Sequence, residues 1–203
     1  VDVRGRSRTL NVNYRTSHQI RMQADKLLGP EVSDVDGITE CRGGTVSVFN
    51  GPKPEIHTFS SEVDESAYVA KWLKSLLQEG VLAHEIGVFV RSTAEVNAAI
   101  NAVKAAGLDY KVLDDFVETV NGCVSITTMH LAKGLEFRSV VVMACDDEVI
   151  PSQERIENVT DDADLKDVYE TERQLLYVAC TRARDRLLVT SGGVPSEFLE
   201  DMV

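Results

Sequence analysis

The sequence predicts an α/β domain built on a mainly parallel sheet with helices on both faces, and three observations carry that expectation. Stretches with helical periodicity alternate with short apolar runs along most of the chain, the pattern of strand–helix–strand units. The run Ile-Gly-Val-Phe-Val at 86–90 has no polar face, as expected of a strand buried on both sides. Glycines and serine-led turns punctuate the alternation where helices should start and stop. A length of 203 residues with 43% hydrophobic content supports the core of one ordinary domain, so residues 1–203 are read as a single unit.

The elements follow in order. A helix is expected over 17–28, with Ile20, Ala24, Leu27 and Leu28 on one face, Thr16 and Gln19 as a capping box, and Gly29 and Pro30 as its stop. Residues 45–49 read as a strand. Ser61, with Asp64 three residues on, opens a helix bearing Val63, Ala67, Ala70 and Leu77, which Gly80 ends. After the strand at 86–90, Ser92 and Glu95 form a second capping box ahead of Val96, Ala99, Ile100 and Val103, and Gly107 closes that helix. Further strands are expected at 110–113, 124–127, 140–144 and 187–190, with a helix over about 171–184 before the last.

Charge narrows the function classes. A net charge of −12 is the wrong sign for a protein that holds nucleic acid through a uniformly basic surface; any such contact must be local. Residues 1–26 carry six cationic side chains against two carboxylates, whereas 146–172 carry eleven carboxylates against Arg155 and Lys166. Within the acidic stretch, 153–167 reads as a solvated loop. The four cysteines are widely spaced and the four histidines form no i,i+4 pair around a glutamate, so no structural metal is expected. No apolar run approaches the roughly 20 residues of a membrane span, and the arginine-rich start does not resemble an apolar signal. A soluble, cytoplasmic chain without membrane partners is expected.

Three segments carry candidate chemistry. Asn13-Tyr14-Arg15 precedes a helix start; an arginine there can reach an anion and a tyrosine face can stack on a flat heterocycle, although a surface arginine beside a half-buried tyrosine is the commoner arrangement. Residues 127–137 form a polar turn between two strands, in which Gly134 permits close backbone approach and Lys133 adds positive charge. There Glu136 offers an acceptor suited to ribose hydroxyls, while Thr128 and His130 can donate to phosphates; an ordinary linker explains the turn equally well. Residues 172–184 read as a helix whose Leu175, Leu176, Ala179 and Ala183 suit burial, leaving Arg173, Arg182 and Arg184 for other work. An arginine fixed at a helix end can stabilise developing phosphate charge, or simply sit well near a helix carboxyl end.

Taken together, these segments resemble, in kind and order, motifs IV, V and VI of the UvrD/Rep-like superfamily 1 DNA helicases. Asn-Tyr-Arg at 13–15 is similar to the motif IV core, 128–137 to motif V, and Leu-Tyr-Val-Ala-Cys-Thr-Arg-Ala at 176–183 to motif VI. The run 88–113 also resembles the segment between motifs IV and V. The resemblance implies a RecA-like three-layer domain, the second motor domain, which closes over ATP held by an N-terminal RecA-like domain and grips single-stranded DNA. By position it implies that Tyr14 stacks on adenine, Arg15 and Arg182 contact the γ-phosphate, Gly134 and Glu136 lie at the nucleotide with Glu136 on the ribose, and Thr128, His130 and Arg91 meet the DNA backbone. Movement from 3′ to 5′ is the family's expectation, with a role in DNA repair.

Two departures qualify the resemblance. The sequence contains no Gly-Lys pair and hence no G-x-x-x-x-G-K-[ST] loop, so the β-phosphate and Mg²⁺ must be held by the N-terminal domain. Larger relatives insert an accessory domain where 114–123 here forms only a short link. Two other classes compete: a non-enzymatic module that keeps the helicase fold to dock a partner, and a receiver-like regulator using Asp146 or Asp147 as phosphoacceptor.

Overall fold

The computed structural model describes residues 12–13, 15–28, 31–33, 39–41 and 46–203. Two short pairings lie near the amino end: β1 (Val12–Asn13) runs parallel to β4 (Val46–Ser47), and β2 (Glu31–Ser33) antiparallel to β3 (Thr39–Cys41). The main sheet contains β5 (Glu55–Thr58), β6 (Ile86–Val90), β7 (Tyr110–Val112), β8 (Val124–Thr128), β9 (Phe137–Val142) and β10 (Ala183–Ser191). Its six strands are all parallel, in the order β5-β10-β9-β6-β8-β7. This is the RecA-like α/β arrangement expected.

Alternation along the strands divides the core between two faces. Phe89, Phe137, Val140, Val142, Leu187 and Val189 join one cluster with Ile20 and Ala24 of α1 (His18–Asp25), Leu176 and Ala179 of α5 (Asp162–Cys180) and Phe198 of α6 (Glu197–Met202). Val88, Val90, Val141 and Leu188 face the other way, against Leu73 and Leu76 of α2 (Glu62–Gln78) and Ala99 and Val103 of α3 (Val96–Ala105). Every residue of β6 is buried, as its apolar run requires. Gly87 sits there because a Cβ would come within 2.5 Å of Phe137 Cδ2. Gly87→Ala is therefore expected to cost about 1–3 kcal/mol of stability through overpacking, with partial recovery on adding Phe137→Leu; an unchanged thermal midpoint would show that the ring has room to move.

The helix ends follow their chemistry, with corrections. Ser61 accepts from Asp64 N, and Ser92 and Glu95 form the reciprocal capping box. The first helix is capped by Ser17 rather than Thr16, and its last residues tighten into a 3₁₀ turn at Lys26–Leu28. The buried face of α2 is Val69, Ala70, Trp72, Leu73 and Leu76, while Val63 stays 77% exposed. The largest correction concerns 153–167, expected as a loop. It contains α4 (Gln153–Glu157) and the first turns of α5. Asp161 caps α5 by accepting from Ala163 N and Asp164 N, and Asp162 and Asp164 place negative charge in the first turn, where it favours the helix. The helix then ends at Cys180, so Arg182 and Arg184 lie beyond it, Arg184 within β10.

Candidate nucleotide and nucleic-acid site

Three sequence-distant segments meet at the amino ends of β9 and β10. Phe137, which opens β9, pairs with Ala183 of β10 and donates from its N–H to Arg182 O at 3.0 Å. Glu136 and Arg182, each one residue earlier, are thereby brought alongside. The start of α1 is fastened to the same edge: Ser17 N donates to Arg184 O at 2.9 Å and Thr16 Oγ1 to Thr181 O at 3.2 Å. Arg15 Nε then lies 3.4 Å from Glu136 Oε2, with both side chains about half exposed or more (66% and 48%). Gly134 adopts φ +89, and no atom lies within 4 Å of where a side chain would begin, so its backbone is open to close approach. Tyr14 lies outside the described residues.

Arg182 is held rather than free. Its Nε donates to Val178 O at 3.1 Å and its Nη1 to Leu135 O at 3.3 Å, so the end of α5 and the turn before β9 both orient the guanidinium. Burial first, then the nearby Arg15, draw its pKa below the ordinary value; with an arginine's high starting point it remains a cation. Two guanidinium groups against one carboxylate leave the cluster a net positive charge, the character that attracts a polyphosphate. Arg184 instead spends its guanidinium on Asp185, at 2.9 and 3.0 Å.

The second candidate set lies at the opposite, carboxyl ends of the strands. Val90 pairs with Thr128, so Arg91 follows β6 beside the 3₁₀ turn Met129–Leu131 that follows β8. Thr127, Thr128, His130 and Leu131 line a cavity of about 400 Å³ together with Thr93 and Asp114. In an open parallel sheet ligands commonly bind beyond the carboxyl ends of the strands. Only Arg91, Thr128 and His130 are there; Arg15, Glu136 and Arg182 gather at the amino ends because α1 and the turn before β9 carry them to that edge.

Arg91 does not present itself to solvent as a DNA contact would. Its side chain is 7% exposed and forms a two-point pair with Glu172 of α5, which is fully buried: Nε donates to Oε2 at 2.5 Å and Nη2 to Oε1 at 2.6 Å. Arg155 of α4 donates to Glu172 Oε1 at 2.8 Å, and Arg91 Nη1 comes within 3.5 Å of His130 Nδ1. Burial alone would raise the Glu172 carboxyl, but the hydrogen bonds from Arg91 and Arg155 outweigh it and hold the group below its ordinary value. Burial and the Arg91 charge lower the His130 imidazole, against a smaller opposing pull from Glu172. Glu172 and Arg155 were not singled out from sequence; the available signal was that Glu172 stands four residues from Val168 and from Leu176, in the row of buried positions.

The family model for the UvrD-like helicase C-terminal domain matches residues 115–192. The ATP-dependent DNA helicase UvrD1 of Mycobacterium tuberculosis is 35% identical over 108 residues, covering 47% of this chain and 13% of that protein. DNA helicase II of Rickettsia typhi is 31% identical over 148 residues, covering 71% of this chain and 21% of that protein. The chain carries a UvrD-like helicase C-terminal domain. It spans about a fifth or less of the length of these relatives. The crystal structure of the C-terminal domain of a possible DNA helicase from Lactobacillus plantarum shares the fold, with a TM-score of 0.64 at 24% identity over 94% of both chains.

For a UvrD-like helicase C-terminal domain, the matched window includes Thr128, His130, Gly134, Glu136, Glu172 and Arg182 and begins after Arg15 and Arg91. The link 114–123 joins β7 to β8 without helix or strand. Asp146 closes a different part of the structure, its Oδ1 accepting from Ser191 Oγ at 2.6 Å and Gly193 N at 2.9 Å. Among the described residues no three metal-ligating side chains are gathered together, and no helix is long and apolar enough to cross a membrane.

Proposed function

We propose that this chain is the C-terminal motor domain of an ATP-dependent DNA helicase or translocase, supplying one wall of an ATP site and part of a single-stranded DNA track. One observation supports the reading above the rest: Arg15, Glu136 and Arg182 come from separate segments and converge at the amino ends of β9 and β10, two cations and an acceptor beside the open backbone of Gly134. Arg15 and Arg182 would bind the γ-phosphate, and Glu136, released from Arg15, would accept from the ribose hydroxyls. Tyr14 would stack on the adenine ring. Among the described residues the carboxylate in the cluster is Glu136, already paired with Arg15; Mg²⁺ and the β-phosphate would be held by an N-terminal domain carrying a phosphate loop. The arginines' chemistry is electrostatic: they hold charge on the transferring phosphoryl oxygens without accepting a proton.

Thr128 and His130, at the other end of the sheet, would contact DNA phosphates. Few donors on an acidic domain give weak binding, and its salt dependence comes from cations rather than from Thr128 or a neutral His130. For a fluorescein-labelled dT oligonucleotide, the logarithm of affinity should fall against the logarithm of salt concentration with a slope of about −0.7 for each phosphate that a cation such as the exposed Lys133 neutralises. Fluorescence anisotropy across a salt series checks it; tight binding indifferent to salt would contradict the proposed track.

A further inference from the structure

Glu172 is a carboxylate in an apolar row. Val168 and Leu176, one helical turn to either side, are buried, and Glu172 itself is wholly so. A charge so placed is retained only where cations and hydrogen bonds compensate its lost hydration. Both oxygens are engaged: Oε2 by Arg91 Nε, and Oε1 by Arg91 Nη2 and by Arg155 Nη1. The carboxylate cannot shift along α5 without leaving a buried guanidinium unpaired.

The pair also governs His130. Of the Arg91 nitrogens, Nη1 faces His130 Nδ1, and a guanidinium can only donate. It therefore favours the imidazole with Nδ1 as acceptor and the proton on Nε2. His130 is exposed, so that N–H is available to a phosphate oxygen. At its other end α5 delivers Arg182, whose Nε returns to Val178 O and whose Nη1 holds Leu135 O. The turn from Met129 to Glu136 is thus anchored to α5 twice: near His130 through Arg91 and Glu172, and near Glu136 through Arg182. About 12 Å of helix, from Glu172 to the helix end at Cys180, separates the two anchors.

We propose that Glu172 is a positioning residue that orients His130 through Arg91 and couples this DNA-facing edge, along α5, to the phosphate-facing Arg182. The proposal rests on the motor reading above. It differs from a direct role for Arg91 in the sign of one result. If Arg91 gripped DNA itself, neutralising Glu172 would release a cation and tighten binding. If Glu172 positions His130, the same change weakens binding although the protein becomes less acidic.

The test compares the parent chain, Glu172→Gln, and the apolar pair Arg91→Met/Glu172→Leu, which removes both buried charges together and leaves only the part-exposed Arg155 to turn to solvent, and so guards against misfolding. With the labelled dT oligonucleotide, both variants should bind roughly tenfold more weakly than the parent, equivalent to about 1.4 kcal/mol. The NMR titration of the His130 ring should move in both, which a merely structural role would not require. In the intact protein, Glu172→Gln should lower kcat at saturating DNA and raise the DNA concentration needed for half-maximal stimulation, while KM for ATP stays close to the parent's. Tighter binding by Glu172→Gln, or a loss confined to the apolar pair, assigns the contact to Arg91 and overturns the proposal. Unchanged binding and an unchanged His130 titration in both variants overturn it as well. If the parent chain itself does not bind the oligonucleotide, the DNA-track reading fails and this proposal with it.

Discussion

Arg182→Ala in the intact protein is expected, on the proposed motor reading, to reduce DNA-stimulated ATP hydrolysis by roughly 10²-fold or more. ATP and DNA affinities should change far less, because the proposed contact would mature only as two domains close on the transferring phosphoryl group. The geometry explains why this arginine suits the task. Its guanidinium is aimed by Val178 O and Leu135 O and so reaches the site already oriented. Arg182→Lys should rescue little, since a single ammonium cannot hold both carbonyls and still present a planar fork to phosphate. Arg184 is the control: it lies in β10, with its guanidinium on Asp185, and Arg184→Ala should leave turnover nearly intact. Steady-state kinetics, with circular dichroism to confirm folding, decide between these outcomes. Normal turnover by Arg182→Ala, or greater damage from Arg184→Ala, would remove Arg182 from the chemistry.

Glu172→Leu alone should destabilise the domain by about 3–5 kcal/mol, because it leaves the Arg91 guanidinium buried without its counter-charge. Adding Arg91→Met should recover most of that loss, since two apolar side chains of similar volume can fill the space without any charge to desolvate. Differential scanning calorimetry on the single and double variants checks this; additive losses would mean that packing, not charge, dominates the site. The pair also predicts a pH response. The Glu172 carboxyl is held below its ordinary value in the folded state. Its contribution to stability is therefore complete above the unfolded carboxylate range and is lost as pH falls through the lower folded value. Glu65 acts in the opposite sense: burial raises its carboxyl, so it penalises the fold once pH rises above the unfolded value and up through the raised one. The acid-side loss should be shallower in the apolar pair than in the parent chain.

The central strands were legible because β6 is apolar on both faces, and β8 and β9 carry short apolar, β-branched runs that stay buried over most of their length. The edge strand β5, Glu-Ile-His-Thr, was missed. It pairs on one side only, and its Glu55 accepts from Trp72 Nε1 of α2 at 2.7 Å, so neither an apolar run nor a clean alternation marks it. The acidic segment 153–167 was misread for a related reason. Carboxylates that suggested solvation serve as the cap and first turn of α5, and Glu172 interrupts the apolar row that would have extended the helix backward. Motif chemistry singled out Arg15, Glu136 and Arg182 but not their meeting in space: they assemble at the amino ends of β9 and β10 through hydrogen bonds between Thr16, Ser17, Thr181 and Arg184, which no spacing reveals. Arg91 was singled out as a DNA contact, yet its partner lies 81 residues away on α5, beyond the reach of local pattern.

The most direct test of the split-site account is the rate of ATP hydrolysis by this chain alone, and by the same chain joined to an ATP-binding domain that supplies the phosphate loop, each with and without single-stranded DNA. The account predicts no turnover above background for the chain alone and DNA-stimulated turnover for the joined protein, abolished by Arg182→Ala. DNA-stimulated hydrolysis by the chain alone, or turnover in the joined protein that survives Arg182→Ala, would contradict it.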